Sequence, residues 1–180
     1  MSTTNLKLPP SVDSGVFMVS SSILIDAPRE KVWSVMLDFP SYKEWNPFVR
    51  GQTITDKSGN PLPDQTPAEG KYLLIAPVHL PPTMGEPGWF QKQSAFEIIT
   101  AVDHENYRVA WVNIALPKFL LSAERWQILT QVDGKTKYQT TEVFGGIIAY
   151  IVNFFMYKKL VLGFNAQAEG LKKQAERIDL

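Results

Sequence analysis

Two carboxylates carry the chemistry that the residue pattern allows. Alternation along the strand read at Ala123 to Val132 puts Glu124, Trp126, Ile128 and Thr130 on one face, and its apolar members mark that face as the inner one. On the following strand Tyr138, Thr140, Glu142 and Phe144 share a face. A carboxylate in an apolar cavity has a raised pKa and acts as a general acid or base near neutral pH. Glu124 is the first candidate for that role and Glu142 the second. The alternatives are structural: Glu124 pairs with Arg125 or Lys118 at a rim, and Glu142 caps backbone amides or neutralises a lysine. His79, at the head of the proline- and glycine-rich segment His79 to Phe90, is a candidate proton shuttle or an exposed loop histidine. His104 lies in a polar turn and is read as solvated. Trp111 and Asn113 share a strand face with Tyr107 and Val109. Trp111, Asn113, Trp126, Tyr138, Tyr72 and Phe154 are the candidate ligand contacts, with Tyr138 or Asn113 placed to polarise a carbonyl. Trp89 and Phe90 complete the set, as a lid over an apolar ligand or as a plug holding a long loop down.

Composition narrows the chemistry further. The 180 residues include 18 Lys and Arg against 18 Asp and Glu, a formal net charge of zero, which argues against a nucleic-acid-coating protein. No cysteine is present, so thiol catalysis, zinc–thiolate sites and disulfides are excluded. With two histidines and no His-x-x-x-His pair, no metal site is expected, and the expected chemistry needs no cofactor. Phosphate-binding glycine loops and a Gly-x-Ser-x-Gly elbow are also missing from the sequence. Aromatics are plentiful, with 5 Trp, 6 Tyr and 10 Phe.

These side chains must be positioned by one domain, residues 16–180, behind a flexible tail at 1–15 that lacks a signal-peptide pattern. A strand is expected from Val16 to Asp26, then a helix carrying Val32, Trp33, Met36 and Leu37, and a second short helix at Ser41 to Trp45. Strands follow at Phe48 to Asp56, Gly70 to Val78, Lys92 to Val102, Tyr107 to Leu116, Ala123 to Val132 and Lys135 to Phe144. The last two are joined by the tight turn Asp133-Gly134. A long helix from Ile147 to Ile178 carries an apolar stripe at Tyr150, Phe154, Tyr157, Val161, Phe164, Ala168, Leu171 and Ala175. The apolar stretch Val143 to Phe164 is interrupted by Asn153 and Lys158-Lys159, and its uncharged run falls short of the roughly 20 residues of a span. No transmembrane segment is expected, with peripheral membrane contact as the lesser alternative and the cytoplasm as the simplest location. The order β-α-α-β6-α predicts an α+β fold, a curved antiparallel sheet of about seven strands around one long helix, with a ligand-sized gap between them.

Two stretches of sequence resemble a known superfamily. Ile23-Leu24-Ile25-Asp26-Ala27-Pro28-Arg29-Glu30-Lys31-Val32-Trp33, continuing through Asp38 to Tyr42-Lys43-Glu44-Trp45-Asn46-Pro47-Phe48, resembles the opening of START-like (SRPBCC) proteins. These include the polyketide cyclase/dehydrase, coenzyme-Q-binding and birch-pollen-allergen groups. Glu124-Arg125-Trp126 and Thr141-Glu142-Val143-Phe144-Gly145-Gly146 resemble the last two strands before that superfamily's long helix. The resemblance spans residues 16 to 178 and implies a helix-grip fold with a deep apolar cavity. No catalytic motif runs through the whole superfamily, so the resemblance implies a ligand class and no particular reaction. The expected ligand is a medium-sized apolar or aromatic molecule. Two functions remain open: a cofactor-independent cyclase, dehydratase or isomerase of a polyketide-like or other natural-product intermediate, and a non-catalytic lipid, sterol or quinone carrier. Oligomeric state is not legible.

Overall fold

A computed structural model describes residues 7–177. The chain runs β1 (Phe17–Ile25), α1 (Arg29–Leu37), α2 (Tyr42–Trp45), β2 (Gln52–Thr55), β3 (Tyr72–His79), β4 (Lys92–Asp103), β5 (Arg108–Asn113), β6 (Ser122–Val132), β7 (Lys135–Gly145) and α3 (Ile147–Ala175). All seven strands form one antiparallel sheet in the order β1-β7-β6-β5-β4-β3-β2. This is the expected helix-grip architecture, with the sheet's inner face closed by α3 and by the α1–α2 corner.

Each strand from β2 to β7 pairs with its sequence neighbour, across tight turns at β4–β5 and β6–β7 and across longer loops at the other links. The Asp133-Gly134 turn pairs Val132 with Lys135, and this fixes every partner on β6 and β7. Both turn residues have positive φ, 51° and 78°, as a tight hairpin of this kind requires. At the corner, the Tyr42 hydroxyl donates to the Met36 carbonyl at 2.6 Å, and the Tyr42 and Trp45 rings lie 4.6 Å apart. Trp33 and Trp45 are buried there as packing anchors. Gly146 has φ +85° at the entrance to α3, and a Cβ there would sit 2.6 Å from the Leu120 carbonyl oxygen. Only glycine makes that bend.

Two strands are shorter than expected, for local reasons. The Asn46 side chain accepts from the amides of Phe48 and Val49, each at 3.0 Å. The stretch that follows stays bonded to β3, with Val49 bridged to Val78 and the Arg50 amide donating to the Pro77 carbonyl at 2.9 Å. The irregularity in β3 between Ile75 and Val78 delays the regular ladder until Gln52. Tyr107 has φ +53° in the turn before β5, and Asn113 accepts from the Ala115 amide at 3.1 Å as the strand ends. Residues 1–6 of the expected tail lie outside the described residues, as does the expected helix end at Ile178. Within the remainder of the tail, Val12–Ser14 forms a 3-10 turn and Lys7 donates to the Thr100 carbonyl at 2.8 Å.

The helix stripe is corrected in its first half. Phe164, Ala168, Leu171 and Ala175 are buried, but Tyr150 and Phe154 are 67% and 83% exposed. Val152, Met156 and Leu160 face the sheet instead. A helix that is apolar nearly all round leaves periodicity unable to choose its inner side. By length and composition α3 could cross a bilayer, yet its C-terminal half is the core helix of the domain.

Candidate functional site

Between α3 and the sheet lies a cavity of about 200 Å³. Val152, Met156 and Leu160 of α3 form one wall, and Phe48 and Val49 form a second. The sheet supplies Ile75 and Val78, then Ala95, Glu97, Trp111, Asn113, Ala123, Arg125, Glu142 and Phe144. Exposed Gln93 and Ser94 stand at the mouth. The lining is largely apolar, with three charged side chains set into it.

Those three charges come from adjoining positions on the inner face. Arg125 pairs with Glu142 across β6–β7 and with Trp111 across β5–β6, while Glu97 pairs with Asn113 across β4–β5. Curvature of the sheet turns all of them into one space. The Arg125 guanidinium is 4% exposed, lies 4.2 Å from the Phe164 ring centroid, and donates from Nε to Thr140 Oγ1 at 3.2 Å and from Nη2 to Gln167 Oε1 at 3.1 Å. Gln167 in turn donates to Gln127 Oε1 at 3.1 Å, and the Tyr138 hydroxyl donates to the same oxygen at 2.6 Å. This network fixes the cation from behind and leaves its Nη1 without a hydrogen bond among the described residues.

Glu97 and Glu142 are less well provided. Neither carboxylate has a hydrogen bond among the described residues, and Glu97 Oε2 is a buried oxygen with no partner. Burial pushes the Glu97 pKa well above the usual carboxylate range; the neighbouring Glu142 charge pushes the same way, and Arg125 opposes both. Burial also raises the Glu142 pKa, again opposed by Arg125. One cation therefore faces two carboxyls that disfavour simultaneous ionisation. Both carboxyls are pushed toward the neutral acid, Glu97 the more strongly because it also feels the Glu142 charge. The two carboxyls and the cation line the same largely apolar space.

The other expected site residues are distributed as follows. Trp111, Asn113 and Glu142 line the cavity. Tyr138 shares their face but is wholly buried behind it, in the Gln127–Gln167 network. The inward placement of Glu124 and Trp126 is corrected: both lie on the outer face. Trp126 is buried there against Ala101 and Ala110 and donates to Glu124 Oε1 at 2.8 Å, and Glu124 borders a shallow outer groove with Lys118. Tyr72 is likewise on the outer face, stacked on Phe96 with centroids 5.8 Å apart. His79 is neither a loop histidine nor part of the cavity wall. It is 5% exposed, and its Nδ1 is 2.9 Å from the Thr83 carbonyl, where it ties down the turn after β3. His104 is exposed, and its Nδ1 accepts from Trp33 Nε1 at 3.1 Å. Trp89 and Phe90 do not cover the mouth; they project, 90% and 91% exposed. Phe154 points away from the cavity.

Sequence reasoning missed Glu97 and Arg125. Glu97 had a signal: it alternates with Ala95 and Ile99, as a lone carboxylate on an otherwise apolar strand face. Among the described residues no cluster of His, Asp and Glu is arranged to hold a metal.

A curved antiparallel sheet gripping one long helix over an apolar cavity defines a helix-grip protein. Residues 17–176 match the model of the family described as polyketide cyclase / dehydrase and lipid transport, and the chain belongs to that family. A curated relative, oxopyrrolidines biosynthesis cluster protein O of Penicillium oxalicum, is 28% identical over 94% of this chain and 90% of its own length. Among solved structures, a hypothetical protein from Helicobacter pylori superposes with a TM-score of 0.69, at 14% identity over 98% of this chain and 99% of its own. The Zhui aromatase/cyclase from Streptomyces sp. R1128 superposes with a TM-score of 0.61, at 14% identity over 89% of this chain and 93% of its own. At these identities the superpositions establish the shared fold.

Proposed function

We propose that the protein is a cofactor-independent cyclase or dehydratase acting on a small carbonyl-bearing natural-product intermediate. The observation that carries this reading is the pair of buried carboxyls, Glu97 and Glu142, neither hydrogen-bonded among the described residues, facing the same apolar cavity as a fixed guanidinium. Glu142, on the strand beside Arg125, takes a proton from the carbon next to a carbonyl. Arg125 Nη1 stabilises the resulting enolate oxygen, with Asn113 orienting the carbonyl. In a cyclisation the enolate carbon bonds to a second carbonyl carbon of the chain, and protonated Glu97 gives its proton to that carbonyl's oxygen, which becomes a hydroxyl. In a dehydration the enolate electrons form the C=C bond as the β C–O bond breaks, and Glu97 protonates the departing hydroxyl to water. One proton is taken and one given with no change of oxidation state, and the pair is reset by passage of the proton from Glu142 to Glu97 through solvent after product leaves. The cavity walls hold the reactive chain in a folded shape. The family description and the biosynthesis-cluster relative support a biosynthetic substrate. A cavity of about 200 Å³ is smaller than the ~300–1,000 Å³ typical of drug-sized ligands, which favours a guest of one or two rings.

The test is conversion of a synthetic poly-β-ketone thioester, followed by loss of water and appearance of cyclised product. Replacing either carboxyl, Glu97→Gln or Glu142→Gln, is expected to slow turnover about 100-fold or more with ligand binding retained. Turnover that survives both replacements refutes the acid–base reading. A protein that binds apolar ligands but converts none is a carrier, the reading favoured by the apolar surface around the mouth.

A further inference from the structure

The rim of the cavity is built for a different medium from the rest of the surface. The end of β3, the start of β4, the end of β5, the start of β6 and the end of β7 all lie at one edge of the antiparallel sheet, the edge that carries the mouth. Three segments project from that edge. Trp89 and Phe90 stand on the 3-10 turn between β3 and β4, Phe119 on the β5–β6 loop, and Tyr150, Phe154 and Phe155 on the first half of α3. Each of these six rings is at least two-thirds exposed. The β5–β6 loop is fastened to the helix, because the Ile147 amide donates to the Phe119 carbonyl at 3.1 Å and the Ile148 amide to the Leu120 carbonyl at 2.8 Å.

Charge on two of the three projecting segments is one-sided. No Asp or Glu occurs from Ile114 to Leu121 or from Val143 to Ala168, whereas Lys118, Lys158 and Lys159 do. These three lysines are exposed and form no ion pair among the described residues. On the β3–β4 segment the single acid, Glu86, is paired with Lys92 at 3.3 Å. Exposed aromatic rings on separate prongs, flanked by unpaired lysines, match the boundary between anionic headgroups and acyl chains. A second copy is a poorer occupant, since a two-fold contact through this rim would bring both sets of lysines together with only Glu86, already paired, and Glu124, in the outer groove, near them.

We infer that the cavity-mouth end of the protein docks on anionic lipid bilayers, seating Trp89, Phe90, Phe154 and Phe155 at the headgroup–acyl boundary. An apolar guest then passes between membrane and cavity without crossing water. This inference stands whether the cavity catalyses or only carries.

The test uses the full chain and phosphatidylcholine vesicles with or without phosphatidylserine. The protein is expected to co-sediment with the anionic vesicles and much less with the neutral ones. Trp89 is the exposed tryptophan, the other four being buried, so its emission should shift to the blue on binding and be quenched by brominated acyl chains. Both Trp89→Ser/Phe90→Ser and Lys158→Glu/Lys159→Glu are expected to weaken binding about tenfold or more with unchanged thermal stability, because they alter exposed side chains only. Absence of co-sedimentation with anionic vesicles, or binding indifferent to both double variants, overturns the inference. So does a solution dimer that Phe154→Ser/Phe155→Ser converts to monomer.

Discussion

Ala123 gives the most direct access to the cavity. Its methyl group is on the inner face of β6, 6% exposed, opposite Phe144 and in the cavity wall. The replacement Ala123→Leu adds three carbons that point into empty space. At about 0.8 kcal/mol per buried carbon they contribute about 2.4 kcal/mol of burial. Imperfect fit to the existing wall costs at least about 1 kcal/mol, which leaves a net gain of roughly 1 kcal/mol. For a domain of this length that raises Tm by about 2–4 °C. The same carbons occupy a large part of a cavity of about 200 Å³, so a two-ring guest should be expelled. Thermal unfolding and calorimetric titration with 2-naphthol read the two effects together: Tm rises while naphthol affinity falls about tenfold or more. A variant less stable than the parent would mean that the space is already filled. Unchanged naphthol affinity would place the binding site elsewhere.

Three other outcomes follow from the geometry. Folding raises the Glu97 pKa above its ordinary value of 4.5, so this group favours the folded state below that value and loses its contribution as pH rises through the folded-state pKa. Urea midpoints should fall from pH 5 to pH 8, and Glu97→Gln should flatten that fall; an unchanged slope refutes the assignment. In Gly163→Ala the new Cβ would lie 2.5 Å from the Phe48 ring, so the variant should lose about 1–3 kcal/mol in denaturant unfolding, with parental stability as the contrary result. Because Glu124 faces outward, Glu124→Gln should leave naphthol affinity and any turnover unchanged, and loss of either would restore it to the site.

The reversal on β6 shows what strand alternation can and cannot decide. Trp126 and Ile128 mark one face as apolar, yet the inner face carries Ala123, Arg125, Gln127 and Leu129. Small Ala101 and Ala110 on the outer face make room to bury an outward tryptophan, and hydrophobicity alone does not distinguish that from a core position. The hairpin does distinguish them. A two-residue turn at Asp133-Gly134 sets Glu142 opposite Arg125 and Trp126 opposite Thr141, so Trp126 and Glu142 cannot share a face. Tyr138, Glu142 and Phe144 share the inner face of their own strand, and register then forces Arg125 inward too. Fold class and the cavity were legible because they follow from a run of consecutive antiparallel strands and one long helix, whereas the place of β1 beside β7 was not. The buried charges were not, since a lone Arg or Glu on a strand reads as surface until its partners across the sheet are known.

The pairing of β1 with β7 puts Phe17 opposite Phe144, so the first strand waits for nearly the whole chain before it finds its neighbour. Contacts this distant in sequence slow folding, because a long loop must close before any pairing rewards it. On the ribosome, β2 to β6 can assemble as successive hairpins while β1 remains unpaired and the concave apolar face has no helix to cover it. The last segment to emerge is therefore the one that completes the core, and C-terminal truncations into α3 should yield aggregation-prone chains rather than a smaller folded domain.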